Sequence, residues 1–192
     1  MTAFGPALHY AIPVLWLAWT GCWLVAAVRV KPTRWREPTR SRVLHVVPVL
    51  ACVLLLAEPH LWPQIMTARI YPPGRLAPSL GTFLVAIGLG FSIWARRHLG
   101  RNWSGLVTLK EGHALIRSGP YRAIRHPIYT GLLLALIGTA VAIGEWRGVL
   151  AVLCALAGLL WKIHVEEARM RATFSEYEEY RKETAALVPL LY

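Results

Sequence analysis

The chain has 192 residues, of which 56% are hydrophobic and 16% are charged, and its mean hydropathy is +0.44. This composition is too apolar for an ordinary soluble domain. The formal net charge of +11 would suit a nucleic-acid-binding protein, but the basic residues follow the boundaries of apolar segments instead.

Five apolar runs with few or no charges indicate membrane-spanning helices. They cover residues 7–28, 43–57, 79–95, 128–144 and 148–161. A helix needs about 20 apolar residues to cross a hydrocarbon core of about 30 Å, and shorter ones are accommodated by a thinner bilayer. We therefore expect an all-α polytopic membrane protein with five transmembrane helices, of which the last two form a hairpin.

The hairpin is predicted from a polar break at residues 144–148, between the last two runs. Its glycines and Trp146 suit a turn at a membrane surface. A single long helix would instead place Glu145 and Arg147 in the middle of the bilayer, at a cost of several kcal/mol. After the hairpin, residues 161–183 predict an amphipathic helix that lies at the cytoplasmic surface.

The distribution of basic residues predicts the orientation. Segments 29–42, 96–129 and 162–192 hold 18 of the 21 Lys and Arg residues. The positive-inside rule then places the N-terminus outside and the C-terminus in the cytoplasm. Seventeen of the 21 are Arg, which favours a bacterial inner membrane. The basic flanks are expected to contact anionic lipid headgroups, and no nucleic-acid partner is expected.

The chain is predicted to have two parts. Residues 1–95 predict a three-helix transmembrane scaffold, and residues 96–192 hold most of the reactive side chains. Cys22, Cys52 and Cys154 all lie in apolar runs, so we expect them to be core residues. Three scattered cysteines indicate neither a disulfide framework nor a metal site.

Two groups of reactive side chains are expected to meet on the cytoplasmic face. The first precedes the fourth run, where Pro127 suits the first position of a helix. Arg125 and His126 would then lie at a positive helix N-terminus, which favours an anionic group. The second group follows the fifth run and contains Glu166 and Glu167. Adjacent side chains point about 100° apart on a helix, so one carboxylate can face inward and bind the cation of a zwitterion.

Five stretches occur in a fixed order within residues 102–192. They are Gly-His-Ala-Leu-Ile at 112–116, Ser-Gly-Pro-Tyr at 118–121, Arg-His-Pro-Ile-Tyr-Thr-Gly at 125–131, Glu-Glu at 166–167 and Phe-Ser-Glu-Tyr-Glu-Glu-Tyr at 174–180. Together they make this part resemble the isoprenylcysteine carboxyl methyltransferase family, which belongs with the membrane phospholipid methyltransferases in one broad superfamily. The chain departs from that pattern at Lys162, where Arg is common, and at Ser175, where Gly is usual.

The resemblance implies that residues 96–192 form a methyltransferase region that uses S-adenosyl-L-methionine to methylate a lipophilic acceptor. Arg125 and Glu166 are the candidate catalytic residues. Lys162 stands where the family often has a substrate-contacting Arg, and Arg101 is a candidate substrate contact because it, like Arg125, could orient a carboxylate. The implied cofactor contacts are Thr108, His113, Ala114, Leu115, Ile116, Tyr121, His126, Pro127, Ile128, Tyr129, Glu166 and Glu167.

The nature of the acceptor is open at this stage. Carboxyl O-methylation of an isoprenylcysteine-type substrate is favoured, because a carboxylate needs no general base and no residue stands out as one. Alternatives are N- or S-methylation of a phospholipid or small molecule, and an NADPH-dependent membrane reductase of related architecture. Transport is disfavoured because the predicted spans contain few ionisable groups. A purely structural protein would leave the His, Tyr and Glu cluster unexplained.

Overall fold

A computed structural model describes residues 6–27, 33–36, 38–57, 59–100, 108–110 and 115–189. The helices are α1 (Pro6–Ala27), α2 (Thr39–Ala57), α3 (Gln64–Thr67), α4 (Leu76–Leu99), α5 (Pro127–Ile143), α6 (Trp146–Thr173) and α7 (Tyr177–Glu183), and the strands are β1 (Thr33–Arg36) and β2 (Thr108–Lys110). The helical architecture is therefore confirmed. The short antiparallel ribbon of β1 and β2 was not predicted by the sequence pattern.

Three of the helices, α2, α4 and α6, are long and apolar enough to cross a membrane. Two further apolar helices, α5 and the Tyr10–Ala26 part of α1, are shorter. All five predicted runs are thus helical, and the five-span topology stays a prediction. The predicted division of the chain at residue 95 also stays a prediction, and that position falls within α4.

The helices pack in the spatial order α1, α4, α5, α6, α2, with the most extensive interface between α4 and α5. Glycines let these two backbones approach each other, as they do at many helix interfaces in membranes. A Cβ atom added at Gly88 of α4 would lie 2.5 Å from the carbonyl oxygen of Gly131 on α5. One added at Gly138 of α5 would lie 2.6 Å from the carbonyl oxygen of Gly81. The close approach fixes where α5 begins relative to α4.

Tryptophans hold α1 against this pair of helices. The indole nitrogen of Trp16 donates to Thr139 Oγ1 at 3.2 Å, and that of Trp19 donates to Ser92 Oγ at 2.7 Å. Such bonds matter among apolar helices because an unpaired polar group there is costly. They connect the first helix to both α4 and α5.

The predicted hairpin of α5 and α6 is confirmed, and its turn consists of Gly144 and Glu145 alone. Arg147 therefore lies in the first turn of α6, buried, with its Nε atom 2.6 Å from Glu145 Oε2. Its Nη1 atom donates to the carbonyl oxygens of Leu55 and Leu56, at 2.6 and 3.0 Å. These carbonyls end α2 and lack helical partners. Arg147 thus donates hydrogen bonds to carbonyl oxygens at the end of a neighbouring helix and does not face lipid headgroups.

The prediction of a separate amphipathic helix over residues 161–183 is wrong. Helix α6 continues without a break through Thr173, and α7 begins only at Tyr177. No Gly or Pro lies between residues 159 and 173 to end the helix where its composition becomes polar. The extension carries Glu166 and Glu167 on the same rigid helix that forms the hairpin.

The glycine contacts predict a contrast between two substitutions on α4. Gly88→Ala should lower the free energy of unfolding by about 1–3 kcal/mol, because its Cβ would overlap α5. Gly90→Ala is the matched control, since nothing lies within 4 Å of its Cβ position, and it should be stabilising by up to about 1 kcal/mol. Thermal unfolding in detergent, followed by circular dichroism, measures both. Equal effects would contradict the packing described.

Candidate functional site

The hairpin brings the two predicted groups of reactive side chains together. Arg125 and His126 directly precede α5, and Glu166 and Glu167 lie two turns before the end of α6. Pro127 occupies the first position of α5 and its side chain is fully buried. Because the two helices are antiparallel and joined by a two-residue turn, the start of one must lie beside the far part of the other.

Glu167 is held by two basic side chains. Arg125 Nε donates to its Oε1 atom at 2.7 Å, and His126 Nε2 lies 3.3 Å from the same oxygen. The carboxylate is buried, with a relative exposure of 7% for the residue. A carboxylate in such surroundings is stable only with charged or hydrogen-bonding partners, which these two residues provide.

Glu166 faces the other side of the same imidazole. Tyr129 donates its hydroxyl to Glu166 Oε1 at 2.7 Å, and His126 Nδ1 lies 3.5 Å from Oε2. The His126 ring therefore bridges two adjacent carboxylates through its two nitrogens. Lys162, one helical turn before Glu166, adds a further positive charge.

The two carboxylates control the protonation of His126. Burial alone would lower the pKa of its imidazole, but the hydrogen bonds and negative charges of Glu166 and Glu167 outweigh burial and raise that pKa above the ordinary 6.5. The protonated ring donates a hydrogen from each nitrogen, which matches an acceptor on either side. The raised pKa thus favours the protonated form of His126, in which the ring pairs with both glutamates.

Tyr129 presents its ring to cations. Its ring is stacked on His126, with centroids 5.6 Å apart and planes 5° from parallel. The Nζ atom of Lys162 lies 5.3 Å from the Tyr129 ring centroid, within the range of a cation–π interaction. An aromatic ring with a cation on its face beside the half-buried Glu166 carboxylate is suited to recognising a further positively charged group.

An apolar cluster lies next to the charged groups. Tyr121 and Ile128 are buried against Ala95 of α4, and Ile116 packs on them. Burial raises the pKa of the Tyr121 phenol, so this hydroxyl stays neutral. The site thus combines a charged side with an apolar one.

The described structure assembles one group of the predicted site residues into direct contact: Arg125, His126, Tyr129, Lys162, Glu166 and Glu167. Ile116, Tyr121, Pro127 and Ile128 lie beside them, and Leu115 is half-buried next to Ile116. Thr108 is in β2, and only its backbone is described. Arg101, His113 and Ala114 lie outside the described residues.

Sequence reasoning missed a C-terminal segment that supports the site. Residues 123–126 and 185–186 are joined by backbone hydrogen bonds, with Arg125 N donating to Ala185 O at 2.8 Å and His126 N to Ala186 O at 3.0 Å. Arg125 Nη1 also donates to the carbonyl oxygens of Arg181, at 3.0 Å, and Thr184. Nothing in the apolar segment after α7 signals these contacts, because they depend on backbone atoms.

The raised pKa of His126 predicts a pH-dependent contribution to stability. A group whose pKa is higher in the folded protein stabilises it fully below the unfolded value of 6.5, and this contribution is lost as pH rises through the folded pKa. The melting temperature of wild type should exceed that of His126→Gln most below pH 6.5, and the gap should narrow as the pH rises above that value.

Melting curves in detergent across this range measure the gap. Each kcal/mol of unfolding free energy lost should lower the melting temperature by about 2–4 °C in a chain of this size. A gap that stays constant or widens with rising pH would contradict the protonated imidazole.

Comparison with known proteins identifies the family. The sequence profile of the phospholipid methyltransferase family matches residues 76–177, which is more than half of the chain and includes α4, α5 and α6. The six residues in direct contact all lie within that match.

Several curated proteins are similar to this chain. A cobalt-zinc-cadmium resistance protein of Cupriavidus metallidurans is 34% identical over 96 residues, which cover 48% of this chain and 44% of that protein. A protein-S-isoprenylcysteine O-methyltransferase of Schizosaccharomyces pombe is 34% identical over 100 residues, covering 48% and 41%. A protein of the same name from Saccharomyces cerevisiae is 28% identical over 155 residues, covering 77% and 62%.

The chain spans about half the length of the curated relatives it matches. The shared part contains the helical hairpin and both groups of polar side chains at its open end. By its match to the family profile, the chain belongs to the phospholipid methyltransferase family.

Proposed function

We propose that the chain is an integral membrane methyltransferase that uses S-adenosyl-L-methionine and methylates a lipophilic acceptor. The favoured reaction is carboxyl O-methylation of an isoprenylcysteine-type substrate. One observation carries the proposal: two carboxylates, Glu166 and Glu167, are held beside a cation-bearing aromatic ring at the open end of the hairpin. Membership of a methyltransferase family and relatives named as isoprenylcysteine methyltransferases support it.

The residues present fit the proposed cofactor. S-adenosyl-L-methionine, when bound, supplies an electrophilic methyl group on a sulfonium and also carries an ammonium, a carboxylate and an adenine. Glu166 is suited to accept the ammonium, because one of its oxygens is oriented by Tyr129 and it lies beside a ring that attracts cations. The apolar cluster of Tyr121, Ile116 and Ile128 offers a surface for the flat adenine.

The two predicted catalytic residues take different roles in this proposal. Glu166 would contact the cofactor directly. Arg125 would act as a positioning residue, because its guanidinium is already engaged by Glu167 and by the carbonyl oxygens of Arg181 and Thr184. Arg125 and Glu167 would hold His126 in place and leave Glu166 to meet the ligand.

A carboxylate acceptor requires orientation more than proton transfer. Its oxygen is already nucleophilic, so the protein must mainly align it and exclude water. Lys162 is half-buried on α6 near Glu166 and is suited to attract such a carboxylate. Arg101 is proposed as a second substrate contact, because a guanidinium can orient a carboxylate.

A phospholipid amine is the second candidate acceptor, because the matching profile is that of the phospholipid methyltransferases. An amine must lose a proton before or during methylation, which calls for a base. The two carboxylates beside His126 raise its pKa and so favour the protonated ring, which is poorly suited to that role. The site thus favours an acceptor that needs no base.

We further propose five spans with the N-terminus outside and the site at the cytoplasmic face of a bacterial inner membrane. The alternation of the helices supports this topology. Arg96 at the end of α4 donates to the carbonyl oxygen of Ala26 at the end of α1, at 3.0 Å. At the opposite end of the bundle, Ile70 N donates to Gly144 O at 2.8 Å. Most Lys and Arg residues in the described part of the chain fall on the end that carries Arg96, as the positive-inside rule requires.

Cofactor binding is the first test. Glu166→Gln should weaken binding of S-adenosylhomocysteine by about 10- to 100-fold, because a hydrogen bond to a charged group is lost. Glu179→Gln, an exposed position on α7, is the matched control and should bind like wild type. Isothermal titration of detergent-solubilised protein measures both, with NADPH as a parallel ligand. Binding of NADPH in place of S-adenosylhomocysteine would favour a reductase and contradict the proposal.

The acceptor is tested with tritiated S-adenosyl-L-methionine. S-farnesyl-N-acetylcysteine should become labelled through a methyl ester, which mild alkali releases as volatile methanol. Phosphatidylethanolamine would give alkali-stable N-methyl groups instead. If only phosphatidylethanolamine becomes labelled, the proposal of a carboxyl acceptor is wrong, and the proposal of a methyltransferase still stands.

A further inference from the structure

The segment after α7 lies against the entrance to α5. Residues 180–187, here called the C-terminal strap, comprise the last turn of α7 and the segment after it. Within the strap, residues 185–186 pair in parallel with residues 123–126, with a bridge between Ile124 and Ala185. Ala185 N donates to Ala123 O at 3.1 Å, and the amides of Arg125 and His126 donate back to the strap. Ala186 and Leu187 are buried. The strap begins beyond residue 177, where the match to the family profile ends.

Side chains reinforce the backbone pairing at both ends of the strap. Tyr180 is buried and donates its hydroxyl to the carbonyl oxygen of Tyr121 at 2.6 Å. Thr130, in the first turn of α5, donates to the carbonyl oxygen of Leu187 at 2.6 Å. Arg125 donates to the carbonyl oxygens of Arg181 and Thr184 between these points. The strap therefore contacts the backbone or side chain of three residues of the proposed site, which are Tyr121, Arg125 and His126.

This pairing meets a need at the start of α5. Residues just before a helix have amides outside the helical hydrogen-bond pattern, and Pro127 has no amide hydrogen to offer. Carbonyl oxygens of the strap accept hydrogen bonds from the amides of Arg125 and His126. These bonds fix the backbone that carries the His126 imidazole between the two glutamates. A displacement of about 1 Å at this point would disturb ligand alignment.

We propose that the C-terminal strap is a positioning element of the cofactor site, with Thr130 and Tyr180 as positioning residues that hold it. This inference rests on the proposed function and extends it to a segment beyond the residues that the family profile matches. The strap holds His126 in register with Glu166 and Glu167, so loosening it lowers affinity for the cofactor while the rest of the bundle stays folded.

Thr130→Val removes the hydroxyl that reaches Leu187 and keeps the branched shape, whereas Thr130→Ser keeps the hydroxyl. Thr130→Val should weaken binding of S-adenosylhomocysteine by about 3- to 10-fold, the loss expected for one hydrogen bond, and Thr130→Ser should restore it. Thr20→Val is the matched control, because Thr20 makes an exposed hydroxyl-to-backbone bond on α1, and it should bind like wild type. Tyr180→Phe should weaken binding in the same direction through the other end of the strap.

Two readouts separate positioning from general destabilisation. Hydrogen exchange should quicken at the amides of residues 123–126 and 185–186 in Thr130→Val, with the amides of α4 unchanged. If Thr130→Val and Tyr180→Phe bind S-adenosylhomocysteine as tightly as wild type although hydrogen exchange in the strap quickens, the strap has no positioning role. Failure of the wild-type protein itself to bind S-adenosylhomocysteine would overturn the proposed function, and the strap assignment with it.

Discussion

Glu166 and Glu167 place two adjacent carboxylates on α6, a helix in which residues 148–161 are all apolar. Removing a carboxylate from water costs several kcal/mol even after the protein relaxes around it. His126 lies between the two, Arg125 pairs with one, and Tyr129 donates to the other. The positions of α5, α6 and the C-terminal strap all follow from the need to keep these partners in place.

The rest of the fold supplies that placement. Glycine contacts bring α4 and α5 together, and a two-residue turn sets α5 against α6. Beyond the hairpin, α6 remains helical for long enough to bring both glutamates to the start of α5. The positive charges of Arg125 and His126 compensate the negative charges of Glu166 and Glu167. A zwitterionic ligand could replace some of these ion pairs with its own charged groups. The same interactions can therefore stabilise the protein and form its ligand site.

Much of this arrangement was predictable from the sequence. The apolar runs predict the helices, the break at residues 144–148 predicts the hairpin, and the hairpin places His126 opposite Glu166. Sequence could not show that both carboxylates face one imidazole, since an ideal helix separates adjacent side chains by about 100°. The ring of His126 bridges that separation with its two nitrogens.

Features that depend on distant backbone atoms were not predictable. The polar break in the sequence predicts that Arg147 lies at the membrane surface, and nothing near it in sequence indicates its partners. The carbonyl oxygens to which it donates are at the end of α2, about 90 residues away in sequence. The strap pairs through amides and carbonyls, which every residue carries, so no composition marks it. The change to polar residues after Trp161 predicts an earlier end for the last apolar helix than the structure has, because no helix-breaking residue accompanies that change.

The structure of the protein with S-adenosylhomocysteine bound tests the central claim most directly. The account predicts that the ligand's ammonium lies within hydrogen-bond distance of Glu166, that its sulfur lies near the face of Tyr129, and that Arg125 still pairs with Glu167. A ligand bound away from the open end of the hairpin, or one that leaves Glu166 and Tyr129 untouched, would contradict it.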